Sequence, residues 1–217
     1  MASTSALSFA SELPFKYVGG DSSIDLVNTV DWTARGLVED RLTDYERLTR
    51  WAEGAGVVAP RLASQLRALA VEHPRTAERV HREALQLRRE LRQLFAAVER
   101  GGRLDQVEEL APFNATLAEA MSRTMLGAAP RGASSSAPLR WGWRDAAGRL
   151  DSLLWPVIRS AADLLASDEA ARIRECGGED CGWMYVDRSR NGLRRWCQME
   201  TCGNREKQRR RASANSH

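Results

Sequence analysis

Apolar residues return every three to four positions over much of the chain, the spacing of one helix face. The clearest stripe runs from about Thr76 to Arg100. Val80, Ala84, Leu87, Leu91, Leu94 and Val98 fall on one side of it, and Gly101-Gly102 supplies the stop. Tyr45, Leu48, Trp51 and Ala52 form a shorter stripe. Thr43-Asp44-Tyr45-Glu46 ahead of it has the form of a capping box, in which the Thr43 hydroxyl accepts a helix N–H and Glu46 reaches back to the cap's own N–H. Pro60 suits a helix start, and Leu62, Leu66, Leu69 and Ala70 follow at helical spacing. Asp105 with Glu108 opens a further helix carrying Val107, Leu110, Leu117 and Met121. After a Gly19-Gly20-Asp21 turn, Ile24, Val27 and Val30 share a stripe that predicts a short helix.

Other segments break this pattern. Residues 1–15 read as poorly ordered, and residues 127–138, GAAPRGASSSAP, read as a small-residue linker or loop. Leu139 to Trp143 reads as a short strand, with a turn at Ala146-Ala147-Gly148. Leu150 to Ala166 is helical, with Pro156 in its first turn or at a kink, and Asp168 to Arg174 is a last short helix leading into Cys176. The fold class is therefore mainly α: a helical N-terminal domain with a small β-hairpin over residues 1–170, and a separate C-terminal module over 171–217. The composition of the 217 residues, 43% hydrophobic and 28% charged, suits a soluble globular chain with one sizeable core and a small module. The N-terminus lacks a basic stretch before an apolar one, and no apolar run approaches the ~18 residues of a membrane span. A cytoplasmic protein without a membrane partner is expected.

Charge separates the two regions. From Gly182 to His217 there are nine Lys or Arg against three acids, whereas residues 1–181 carry 23 against 26. A near-neutral body with a basic end is the layout of a domain with a nucleic-acid-binding module.

The four cysteines lie inside that end, as C-x4-C-x15-C-x4-C: Cys176, Cys181, Cys197 and Cys202. The halves CGGEDCGW and CQMETCGN resemble each other, and Gly182 or Gly203 after the second cysteine is expected at positive φ. Two thiolate pairs brought together by a loop suit tetrahedral zinc. Buried free thiols, two disulfides and an iron–sulfur cluster are the alternatives; a reducing compartment disfavours disulfides. Four thiolates leave no open position for water, so the zinc would be structural. Trp183-Met184-Tyr185-Val186, an Asn191-Gly192 turn and a return strand over Leu193 to Trp196 read as a hairpin between the pairs. Asn204 is placed to cap a basic helix over Arg205 to about Arg211. This order suggests a treble-clef-like zinc finger.

Cys202-Gly203-Asn204-Arg205, within SRNGLRRWCQMETCGNREKQRRR, resembles the CGNR zinc finger family. Gly19-Gly20 followed by Asp25-Leu26-Val27-Asn28-Thr29 resembles the opening motif of its companion ABATE domain, and the order of the two matches that family over nearly the whole length. The resemblance implies a stress-induced bacterial transcription regulator. Relatives often carry a His–Arg pair after the CGNR helix. Gln208-Arg209-Arg210-Arg211 stands here instead, so no role for that histidine carries over.

Arg188, Arg190, Arg194, Arg195, Arg205, Lys207, Arg209 and Arg210 are the candidates for nucleic-acid contact, with double-stranded DNA the expected partner. Arg194-Arg195 packing beside Trp196, and Arg205 bonding near the zinc knuckle, are the structural alternatives. Asp25, Asn28, Thr29, Asp31 and Trp32 gather polar groups and an aromatic ring, a candidate site for a small-molecule effector; capping or bridging of local structure is the plainer role for Asp25 and Asn28. His73, His81 and His217 belong to no triad or metal motif, and no Walker or Rossmann loop occurs, so no enzyme is expected. Three readings stand: a DNA-binding regulator with a sensing body, an RNA-binding or ribosome-associated module, and a protein-interaction adaptor. Analogy with twofold regulators that read palindromes suggests a homodimer.

Overall fold

The computed structural model describes residues 14–33, 36–128 and 138–214, and the side chains of these except 32–33, 36–38 and 214. The expectations for residues 1–13 and for 129–137 of the linker lie outside the described residues. The longest stripe forms the central helix, α4 (Pro74–Glu99). Val80, Ala84, Leu87, Leu91 and Leu94 are buried, and Ala77 and Phe95 join them. Its end follows from two glycines. Gly101 takes φ +68°, and the N–H groups of Gly101 and Gly102 donate to Val98 O (2.9 Å) and Ala97 O (2.8 Å), closing carbonyls the helix would leave open. Helices α1 (Ser22–Val27), α2 (Tyr45–Gly54), α3 (Pro60–Glu72) and α5 (Leu110–Met121) pack on α4, and α6 (Trp155–Leu165) lies against α1 and α5. None of the described helices is long and apolar enough to cross a membrane.

Several boundaries differ from the sequence reading. The cap of α2 is Asp44, whose carboxylate accepts from Arg47 N at 2.7 Å. Thr43 only donates to Asp44, and Glu46 pairs with Arg50 and Arg67. A carboxylate is a stronger acceptor than a hydroxyl at the positive end of a helix. Helix α5 begins at Leu110 rather than near Asp105, which sits in a 3-10 turn (Leu104–Gln106) paired with Arg103. Starting late places Pro112 in the first turn, where its missing N–H costs nothing. Pro156 likewise sits in the first turn of α6, as expected. The segment after Asp168 is helical only to Arg172.

Three two-stranded antiparallel ribbons complete the fold. Strands β1 (Val30–Thr33) and β2 (Gly36–Asp40) form a hairpin absent from the sequence reading. Buried Arg88 of α4 clamps it, donating to both Asp40 oxygens (2.8 and 2.5 Å) and to Thr29 Oγ1 (3.1 Å). Strand β4 (Leu139–Trp143) forms as expected and pairs with β3 (Thr124–Ala128). Strands β5 (Ile173–Glu175) and β6 (Met184–Val186) form the third.

The last ribbon corrects the expected zinc-finger hairpin. Residues 193–196 form no return strand; β6 pairs instead with β5, ahead of Cys176, so the hairpin encloses the first cysteine pair. Buried Asp187 explains the loop that follows. Its carboxylate accepts from Ser189 N (2.9 Å) and Arg194 N (3.0 Å), donors that a strand ladder would otherwise use, and Gly192 turns the chain at φ +63°.

Strand β6 is a wall shared by two cores. Alternate residues of a strand face opposite sides. Met184 and Val186, with Ile173, belong to the main core. Tyr185, and Trp183 just before the strand, belong to a second core with Cys176, Cys197 and Cys202.

Candidate metal centre and basic surface

Each cysteine is placed by a tight piece of backbone. Cys176 extends the β5–β6 hairpin, its N–H donating to Trp183 O at 2.8 Å. Cys181 follows a turn in which its N–H donates to Gly178 O at 3.1 Å. Cys202 sits in a single wide π-type turn (Met199–Gly203) that runs directly into α7 (Asn204–Ala214). Asn204 is therefore helical rather than a cap, and its amide donates back to Glu200 O. Gly182 and Gly203 do not take positive φ. A Cβ at Gly203 would only displace the Met199 sulfur, part of an exposed, flexible side chain.

The four sulfurs converge. All lie within 4.8 Å of one another, with Cys181–Cys197 at 3.7 Å and Cys197–Cys202 at 3.6 Å. Zinc bound to four thiolates at its usual bond length has a tetrahedral S···S edge of about 3.8 Å. The Cys197 N–H donates to Cys176 Sγ at 3.2 Å, as N–H groups around thiolate sites do. Gly178 leaves room beside the sulfurs: a Cβ there would lie 3.4 Å from Cys202 Sγ. Thiols this close share protons. Hydrogen bonds from Cys181 and Cys197 pull Cys176 far below the ordinary thiol range. Bonding to Cys176 pushes Cys181 up to about 12 and drives Cys197 up as well. All four become thiolates together only around a dication. The donor set therefore fits zinc and is coordinatively closed.

The comparisons agree with this geometry. The ABATE family model, described as "Putative stress-induced transcription regulator", matches residues 20–168, and the CGNR zinc finger model matches residues 172–213. The chain belongs to the ABATE family and carries a CGNR zinc finger. Comparison with curated proteins returned no match. Cys176, Cys181, Cys197 and Cys202 form the finger's structural zinc site.

The finger's arginines divide into two groups. Arg194 points inward. It donates to Val18 O (3.1 Å), Trp196 O (3.0 Å) and Cys197 O (2.5 Å), and its guanidinium lies 4.1 Å from the Tyr185 ring centre. Arg188 grips both Glu169 oxygens (2.8 and 2.7 Å) and Gly20 O. Arg209 pairs with Glu179 and Arg210 with Glu206. Arg190, Arg195, Arg205 and Lys207 are exposed and form no ion pair among the described residues, and Arg211 is like them. Arg195 lies over the Trp196 ring at 5.3 Å. Arg205 instead faces the ABATE body across a cleft of about 260 Å³ that Lys16, Asp31, Arg41 and Trp183 also line. Lys16 and Arg41 line this cleft although they lie over 130 positions from the finger, which the sequence reading could not show.

The ABATE motif residues are turned inward. Asn28 is buried and both ends of its amide bind the Met184 backbone, Nδ2 to O at 2.8 Å and Oδ1 from N at 2.9 Å. Asp25 accepts from Gly19 N at 2.8 Å, and burial pushes its carboxyl up to about 6. Gly19 O in turn accepts Val186 N at 2.8 Å. Thr29 donates to Leu26 O and accepts from Arg88. Asp31 alone of these borders the cleft, paired with Arg41 through two bonds of 3.0 Å. The Trp32 side chain lies outside the described residues. The motif thus forms a seam between body and finger rather than the wall of one cavity.

Proposed function

We propose that this protein is a DNA-binding transcription regulator in which the ABATE body senses an effector and the CGNR finger contacts duplex DNA. The observation that carries the reading is α7. None of its described side chains is buried, so packing does not hold it in place. It is anchored at its N-terminal end, through Cys202 and the zinc site, and by the exposed Arg209–Glu179 pair, and projects as an 11-residue polar helix. A helix of roughly 10–12 Å diameter fits a major groove about 12 Å wide. Arg190 and Arg195 on the preceding loop, with Arg205, Lys207 and Arg211 on the helix, supply cations that no internal acid neutralises.

Fluorescence anisotropy with duplex genomic fragments across a salt series tests this. Five phosphate contacts give a log–log salt slope of roughly −4 to −5. Arg190→Gln and Lys207→Gln should each flatten the slope by about 1 without loss of zinc. Absence of binding at low salt overturns the reading, and so does complete competition by excess tRNA.

A further inference from the structure

A half-open groove in the ABATE body lies away from the zinc site. It has a volume of about 440 Å³, within the range of small-molecule sites. Helices α4, α5 and α6 form it. Leu87, Ala120, Leu154, Trp155 and Ile158 give it an apolar floor. Its charged lining is Arg79, Glu83, Glu90, Glu119, Arg149 and Asp151, four acids against two arginines.

Both arginines are already neutralised, Arg79 by Glu83 and Arg149 by Asp151. Glu119 pairs with Arg123, outside the groove. Glu90 differs from all of these. It is 5% exposed, its hydrogen-bond partner is the Gln86 amide at 2.9 Å, and no lysine or arginine forms an ion pair with it among the described residues. A buried carboxylate without a direct ion pair is costly. Trp155 adds an apolar ring to the floor, and the Arg149 guanidinium 5.7 Å from its centre is held there by Asp151.

We infer that this groove is a binding site for a compact organic cation, with the apolar part of the ligand on Leu154, Trp155 and Ile158 and its positive charge toward Glu90. The inference deepens the effector-sensing half of the proposed function and rests on that reading for its role, though not for the binding itself. The groove is also placed to report occupancy. Two residues beyond Glu90 on α4, Arg92 pairs with Glu175 at 2.9 Å, next to Cys176. On α6, Ser160 near Ile158 donates at 2.8 Å to Asp21, the cap of α1.

Isothermal titration of the full zinc-loaded chain, without DNA, tests the site. The probes are benzyltrimethylammonium and benzenesulfonate, ring-bearing ions of similar size and opposite charge. The cation should bind saturably at one site per chain, and Glu90→Gln should weaken it about tenfold. Ala115→Trp, at the exposed mouth of the groove, should abolish it; zinc content and melting temperature verify that each variant is folded. Absence of saturable binding of the cation overturns the inference. Cation binding that survives both folded variants does the same. Because DNA is absent, a failure here leaves the anisotropy result standing, and the reverse also holds.

Discussion

Met184 and Val186 sit in the core of the ABATE body, whereas Trp183 and Tyr185, which alternate with them, sit in the core of the finger. The body's core is built from apolar side chains of six helices. The finger's core has five buried residues, and three of them are zinc ligands. So few apolar contacts cannot offset the entropy of ordering the chain. Metal–thiolate bonds therefore do in the finger what apolar burial does in the body. The seam joining them is polar: Asn28 on the Met184 backbone, Asp25 through Gly19 to Val186, and Trp183 Nε1 donating to Val30 O at 3.1 Å.

The largest effect should come from removing the metal. Structural zinc contributes on the order of 10 kcal/mol to the folding of such modules. Cys197→Ser should eliminate bound zinc by elemental analysis and make residues 176–214 protease-sensitive. It should also lower the melting temperature of the body, because Met184 and Val186 leave its core. An unchanged body would show that the two cores are independent.

Arg88→Ala should act on the body alone. It leaves Asp40 at the edge of the core without its partner, at a cost of about 3 kcal/mol in urea unfolding, and zinc affinity should not change. Asn28→Ala belongs to the seam. It strands the buried N–H and C=O of Met184, costs about 2 kcal/mol, and should speed zinc removal by a chelator as well.

Asp25 gives an effect no larger, and a pH-dependent one. Its folded pKa, about 6, lies above the unfolded value of 3.8, so between those values the folded state binds more protons. Its contribution to stability is fully present below the unfolded value and is lost as pH rises through the folded one. In paired melts of wild type and Asp25→Asn, wild type should lose about 2 kcal/mol relative to the variant between pH 4 and pH 7. A constant difference would show that Asp25 does not titrate in this window.

The helices and the zinc ligands were legible because each is written locally. A stripe such as Val80 to Leu94 has a period, and four cysteines within 27 residues have a spacing. The cap of α2 and the start of α5 were misplaced by one and about five residues, where Asp44 competed with Thr43 and where Pro112 overrode the acids before it. What pairing over long distance decides could not be read. Strand β6 chose Ile173–Glu175 over the nearer Leu193–Trp196 because Asp187 occupies the donors of that loop. Arg194 looked like its neighbours Arg190 and Arg195, and only the folded chain shows it bonded to three carbonyls. The body's groove was invisible for the same reason, since its lining comes from three helices spread over residues 79–158.

Asn28 bonds to a residue 156 positions downstream. A ribosome must finish most of the polypeptide before the N-terminal helix has its partner, and that partner is itself ordered by a metal ion. Nascent copies made during zinc starvation should therefore reach cellular proteases with both halves unfinished, so that the amount of this protein in the cell follows the supply of zinc.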